Sequence, residues 1–177
     1  MRIFTAIPVP DNTKKRISEV MKGRLPVPYI NTSNLHVTLN FFGDIDDSHV
    51  ETIKLNLQKL VKGVVPFPIN FTNLVKFNSQ IHLVVEPSKE LMSVQAALEK
   101  GFVKLGFAFQ KRPYYPHVKL ANLHMDKVMN PERKLENFPK EELSQFNFVA
   151  TKAILYESQL LLHHTKHNPL LTLDLEI

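Results

Sequence analysis

Two short segments carry residue types suited to acid–base chemistry on a phosphate. Asn34-Leu35-His36-Val37-Thr38-Leu39 and Tyr115-Pro116-His117-Val118-Lys119-Leu120 each set a histidine inside an apolar run, with a polar residue two positions on and a leucine after it. Histidine titrates near neutrality, so it can give or take a proton at physiological pH. Thr38 and Lys119 offer a hydroxyl and an ammonium to non-bridging phosphate oxygens. Alternation in a strand sends residues i and i+2 to one face. His36 therefore shares a face with Thr38, and His117 with Lys119, while the apolar residues between them bury the other face. Either histidine alone would read as an ordinary hydrogen-bonded strand residue. The matched pair, 81 positions apart in a chain of 177 residues, points instead to a duplicated, two-lobed site.

The elements that must position this pair follow from hydrophobic period and turn residues. Strands are predicted at Arg2–Val9, Leu35–Phe42, Phe67–Leu74, Ile81–Val85, Phe107–Phe109, His117–Leu123, Phe146–Leu162 (long, with a bend) and Leu170–Ile177. Helices are predicted at Asp11–Met21, Asp46–Leu60 and Pro87–Leu105, each with an apolar stripe at three-to-four spacing. Leu25–Ser33 reads as a Pro-rich connector, Asp126–Leu143 as an irregular connection with one helical turn, and His163–Pro169 as a turn. Short turns between neighbouring strands favour antiparallel pairing, which can leave one sheet face open to line a groove.

Composition narrows the function classes. There is no cysteine, which removes disulfides, thiolate metal sites and cysteine nucleophiles. No stretch reaches the ~18 uninterrupted apolar residues of a membrane helix, and Pro8 and Pro10 break the first apolar run before a signal-peptide core forms. The chain therefore reads as cytoplasmic, with no membrane partner. The net charge of +5 suits a phosphate-bearing partner. His163, His164 and His167 cluster before the last strand, but they lack carboxylate companions and lie in a predicted turn, so no metal site is assigned. His49, His82 and His124 stand alone and receive no role. Phe42 and Tyr115 are expected on the face of the two motif histidines, where they would stack a base, and Arg112 is expected to steer phosphate.

The ordered set of motifs resembles the two-histidine (2H) phosphoesterases, and within them the bacterial and archaeal 2'-5' RNA ligase-like proteins, also called RNA 2',3'-cyclic phosphodiesterases. The likeness runs from Arg2-Ile3-Phe4-Thr5-Ala6-Ile7-Pro8 through Leu35-His36-Val37-Thr38-Leu39-Asn40-Phe41-Phe42-Gly43. It continues in Leu105-Gly106-Phe107, Lys111-Arg112-Pro113 and Pro116-His117, and ends in Leu155-Tyr156-Glu157-Ser158. The resemblance implies an α+β fold in a single bilobal domain over residues 1–177, with two mainly antiparallel sheets facing a central groove and helices outside. It implies opening of a 2',3'-cyclic phosphate on RNA to a 2'-phosphate, with reversible 2'-5' joining of tRNA halves also assigned to relatives, and no cofactor. The partner it implies is an RNA end bearing a cyclic phosphate, tRNA fragments among them. Lys119 stands where the family has Thr or Ser, and Asn122 where many bacterial relatives carry arginine.

Two other readings compete: a non-catalytic RNA-end or tRNA-binding protein with a degenerate second motif, and a phosphodiesterase of small nucleotide cyclic phosphates. Lys119 also suggests an assignment of roles. An ammonium beside His117 disfavours the imidazolium, so His117 is expected to be the general base toward water and His36, beside neutral Thr38, the general acid toward the departing 3' oxygen.

Overall fold

The computed structural model describes residues 1–25, 27, 30–123, 131–162 and 164–176. His124 and His163, part of the Pro-rich connector and the start of the Asp126–Leu143 connection lie outside them. The fold is a mixture of helices and antiparallel strands, as the α+β reading requires. Seven strands form one sheet in the order β4-β5-β6-β2-β1-β8-β9. In chain order, the members of this sheet are β1 (Arg2–Pro8), β2 (His36–Asp44), β4 (Phe71–Phe77), β5 (Gln80–Val85), β6 (His117–Asn122), β8 (Lys152–Leu160) and β9 (Thr165–Asp174). A second sheet pairs β3 (Phe67–Ile69) with β7 (Phe148–Ala150).

Helices α1 (Asp11–Met21), α2 (Val50–Val61) and α3 (Lys89–Val103) lie close to their predicted spans, because each carries a continuous apolar stripe. In α1 the buried positions are Thr13, Ile17 and Met21; in α3 they are Leu91, Gln95, Leu98 and Phe102. Ser88 caps α3 by accepting from the Leu91 amide. The late connection holds the short helix α4 (Pro131–Glu136) and a 3-10 segment at Lys140–Phe146.

Four predicted spans differ. Phe67–Leu74 is two strands, β3 and β4, which belong to different sheets, and Phe146–Leu162 is likewise β7 and β8, divided at Thr151. The two breaks face the same problem: each chain segment must leave the small sheet to join the large one. Phe107–Phe109 is not a strand; Phe107 and Phe109 instead plug an aromatic cluster. His163–Pro169 is not all turn, because β9 begins at Thr165 and carries His167 and Pro169. Proline at position 169 is accepted there because β9 is an edge strand of the sheet.

The sheet divides into two halves, β4-β5-β6 and β2-β1-β8-β9, joined at a narrow seam. The register across that seam is a single pair, Val37↔Val118, whereas β1–β2 and β8–β9 are paired along most of their length. Both valines are fully buried on the core side. Tyr114 reinforces the seam from the loop before β6: its hydroxyl donates to the Thr38 carbonyl at 2.7 Å. The seam is where the two histidine strands meet.

Candidate active site

The antiparallel register at Val37↔Val118 places the four motif side chains. Residues one step either side exchange partners across the strands, so Lys119 comes alongside His36, and His117 alongside Thr38. The local two-fold axis between the valines relates one histidine motif to the other. All four side chains line one open groove of about 740 Å³.

Each imidazole is oriented in the same way. The Nδ1 of His36 meets the Asn34 carbonyl at 2.6 Å, and the Nδ1 of His117 meets the Tyr115 carbonyl at 2.8 Å. A carbonyl only accepts, so both Nδ1 atoms carry hydrogen, and in the neutral rings both Nε2 atoms are free to accept. The Nε2 of His36 takes a hydrogen bond from the Thr38 hydroxyl at 3.0 Å.

Each ring is also backed by aromatic neighbours. His36 lies 4.8 Å from the Phe4 ring, and His167 meets it edge-on at 5.2 Å. His117 stacks face to face on His82, at 3.9 Å and 14° between planes, with Tyr115 5.0 Å away. His82 is 2% exposed; its Nε2 donates to Gln80 Oε1 at 2.8 Å, and its Nδ1 is buried without a partner among the described residues.

Electrostatics reverse the expected order of the two histidines. Burial, augmented by His167, His117 and Lys119, pushes His36 down to about 4, despite the opposing hydrogen bond to Asn34. His117 is also lowered, by burial first and then by Arg112 and Lys119, against its bond to Tyr115. The sequence expectation placed the dominant depression on His117 because Lys119 follows it in the same strand. It overlooked the partner strand, which sets Lys119 alongside His36, and the enclosure of His36 by Phe4, Tyr156 and His167. His36 is therefore the more firmly neutral imidazole.

The aromatic expectation needs a second correction. Phe42 does not face the groove. It packs T-shaped against Phe102, Phe107 and Phe109 at 4.8, 5.4 and 5.3 Å, and Phe41 lines the groove in its place. The cause is a β-bulge. Thr38 pairs with Ala6 and Asn40 with Thr5, so Leu39 is an extra residue that shifts the alternation by one. Buried Asn40 is held there by Thr5, whose hydroxyl accepts from the Asn40 amide at 3.1 Å.

Tyr115 is not among the residues lining the groove either; it is 39% exposed and stacks on His117, which does line it, and on Phe77. Arg112 is not among the lining residues, though its charge reaches His117. Sequence reasoning gave no role to His82 and Gln80, and put His167 in a turn. The structure brings Gln80 and His167 into the groove with Asn122. The signal for His82 was its place in the strand Ile81–Val85, which pairs with β6: His82↔Lys119 and Val84↔His117.

The 2'-5' RNA ligase superfamily matches this chain over residues 9–160, which include both motifs. The chain belongs to that superfamily. Among its relatives, the RNA 2',3'-cyclic phosphodiesterase of Methanocaldococcus jannaschii is 26% identical over 173 residues, 90% of this chain and 92% of that one. The RNA 2',3'-cyclic phosphodiesterase of Bacillus subtilis is 25% identical over 127 residues, 67% of this chain and 69% of that one. Solved structures share the fold. TT0787 of Thermus thermophilus superimposes with a TM-score of 0.78 at 18% identity, covering 99% of this chain and 98% of that one. E. coli LigT complexed with 3'-AMP superimposes with a TM-score of 0.72 at 21% identity, covering 98% and 97%. Among the described residues no helix is long and apolar enough to cross a membrane, and no group of three or more metal-ligating side chains gathers.

Proposed function

We propose that this superfamily member hydrolyses the 2',3'-cyclic phosphate at an RNA end to a 2'-phosphate, with residues 1–177 acting as one bilobal unit. The observation that carries this reading is the pair of identically oriented imidazoles, both with Nδ1 tied to a backbone carbonyl, lining one groove with Thr38 and Lys119.

His36, held neutral, accepts a proton from water at Nε2. The water oxygen forms the new bond to phosphorus, the bond from phosphorus to the 3' oxygen breaks, and the Nε2–H of protonated His117 supplies the proton that oxygen needs. The products are a 2'-phosphomonoester and a free 3'-hydroxyl. Turnover requires His117 to be charged, and a bound phosphate anion favours that form. Thr38 turns its hydroxyl from His36 to a non-bridging oxygen, freeing the base, while the Lys119 ammonium stabilises the second. The roles are thus the reverse of those suggested by the position of Lys119 in the sequence. Relatives named RNA 2',3'-cyclic phosphodiesterase support an RNA substrate, and tRNA fragments with cyclic ends are one source of such termini.

The test is product analysis on an oligoribonucleotide ending in a 2',3'-cyclic phosphate. A 2'-phosphate product in the wild type, lost in His36→Asn and His117→Asn, supports the reading. Binding without turnover, or a 3'-phosphate product, refutes it.

A further inference from the structure

The groove extends beyond the four motif side chains, and its far part has a character of its own. Among the described residues lining the groove there is no aspartate or glutamate, whereas Arg2, Lys119 and four histidines are present. With the histidines neutral, Arg2 and Lys119 alone supply two positive charges, one more than a single phosphate monoanion balances. On the β1 side, Ile3 pairs with Glu157, which sets Arg2 beside Ser158, and Ser158 pairs with His167. Arg2, Ser158 and His167 thus form a polar row across β1, β8 and β9, and all three line the groove.

We propose that this row is a second phosphate subsite, which takes the phosphodiester on the 5' side of the terminal nucleoside. The inference rests on the cyclic-phosphate reading and names its substrate class: the end of a polynucleotide, not a mononucleotide.

The spacing fits. Phe4, which packs on His36, and Arg2 are two residues apart on β1, so the row stands one side-chain repeat, ~6.7 Å, from the ring that backs the base. The row thus stands apart from the four motif side chains while lining the same groove, as a site for a second phosphate must.

The chemistry fits as well. Arg2 makes an exposed pair with Asp44 at 3.8 Å and rests on the Phe41 ring at 4.9 Å. An exposed pair of that length contributes little, so the guanidinium can exchange Asp44 for a phosphate while Phe41 holds its plane. Ser158 offers a hydroxyl. His167 is fixed edge-on against Phe4 and His36, and its Nδ1 is buried without a partner among the described residues. A ligand in the groove therefore meets His167 through Nε2.

The experiment compares kcat/KM for three substrates: a cyclic mononucleotide, the dinucleotide with the same cyclic end, and that dinucleotide with its internal linkage made a neutral methylphosphonate. Wild type is expected to favour the natural dinucleotide over both others by about tenfold, the value of one charge-assisted contact. In Arg2→Gln, and separately in Ser158→Ala, that ratio is expected to shrink toward one. Equal rates on all three substrates in the wild type overturn the subsite while leaving the proposed function standing. So does a dinucleotide advantage that persists undiminished in both variants. Hydrolysis of none of the three overturns the proposed function, and the subsite with it.

Discussion

Replacing His82 by phenylalanine should make the protein more resistant to acid. His82 is 2% exposed and stacked on His117, and burial first, then the charges of His117 and Lys119, push its pKa down from 6.5 to about 4. Above pH 6.5 the imidazole is neutral in both folded and unfolded chains and contributes no pH dependence. As pH falls from 6.5 toward 4, the unfolded chain binds a proton that the folded chain refuses. Stability is lost across that window, and the loss levels off below the folded pKa. At pH 4.5 the difference in proton binding amounts to about 2.5 kcal/mol for this single group. Phenylalanine keeps an aromatic ring between Phe77 and His117 and removes the titration. Urea unfolding at pH 7.0 and pH 4.5 measures the effect: wild type should lose about 2–3 kcal/mol more than His82→Phe between the two conditions. Carboxylates and His36 titrate in both proteins and cancel in the comparison. An equal loss in both would show that His82 is charged in the fold, and the account of a neutral imidazole stacked beneath His117 would be wrong.

Three further outcomes follow from the site. Lys119→Thr should raise the pKa of His36, His82, His117 and His167 together, because the lysine charge lowers all four; NMR titration in which only His117 moves would contradict the cross-strand placement. Phe42→Ala should cost about 2 kcal/mol by removing a partly buried ring from the cluster with Phe102, Phe107 and Phe109, whereas Phe41→Ala, 46% exposed, should cost less and weaken substrate binding; denaturation midpoints with the opposite ranking would remove the bulge from the explanation. Tyr114→Phe should cost about 1 kcal/mol for its lost hydrogen bond and lower kcat more than it raises KM, since the hydroxyl braces the seam between the two motif strands; steady-state kinetics with kcat unchanged would show that the seam holds without it.

The sequence by itself determined a good deal. The helices were legible because an amphipathic stripe of period 3.6 is a local property, as in Thr13, Ile17 and Met21. Both motif histidines were legible because alternation of period two and the repeat of the motif need no knowledge of the partner strand. Three things depended on tertiary structure, each for a physical reason. Bulges and sheet changes arise from the partner strand: the extra residue Leu39 sends Phe41 rather than Phe42 to the groove, and β3/β4 and β7/β8 divide where the chain passes between sheets. Cross-strand neighbours depend on register, so the alignment at Val37↔Val118, which brings Lys119 to His36, has no local signature. Proton affinity depends on enclosure from every side. His36 owes its low pKa chiefly to burial among residues from β1, β8 and β9, which are distant in sequence from its own strand. The sequence determined which groups the proposed chemistry uses; only their packing decided which of the two histidines stays neutral.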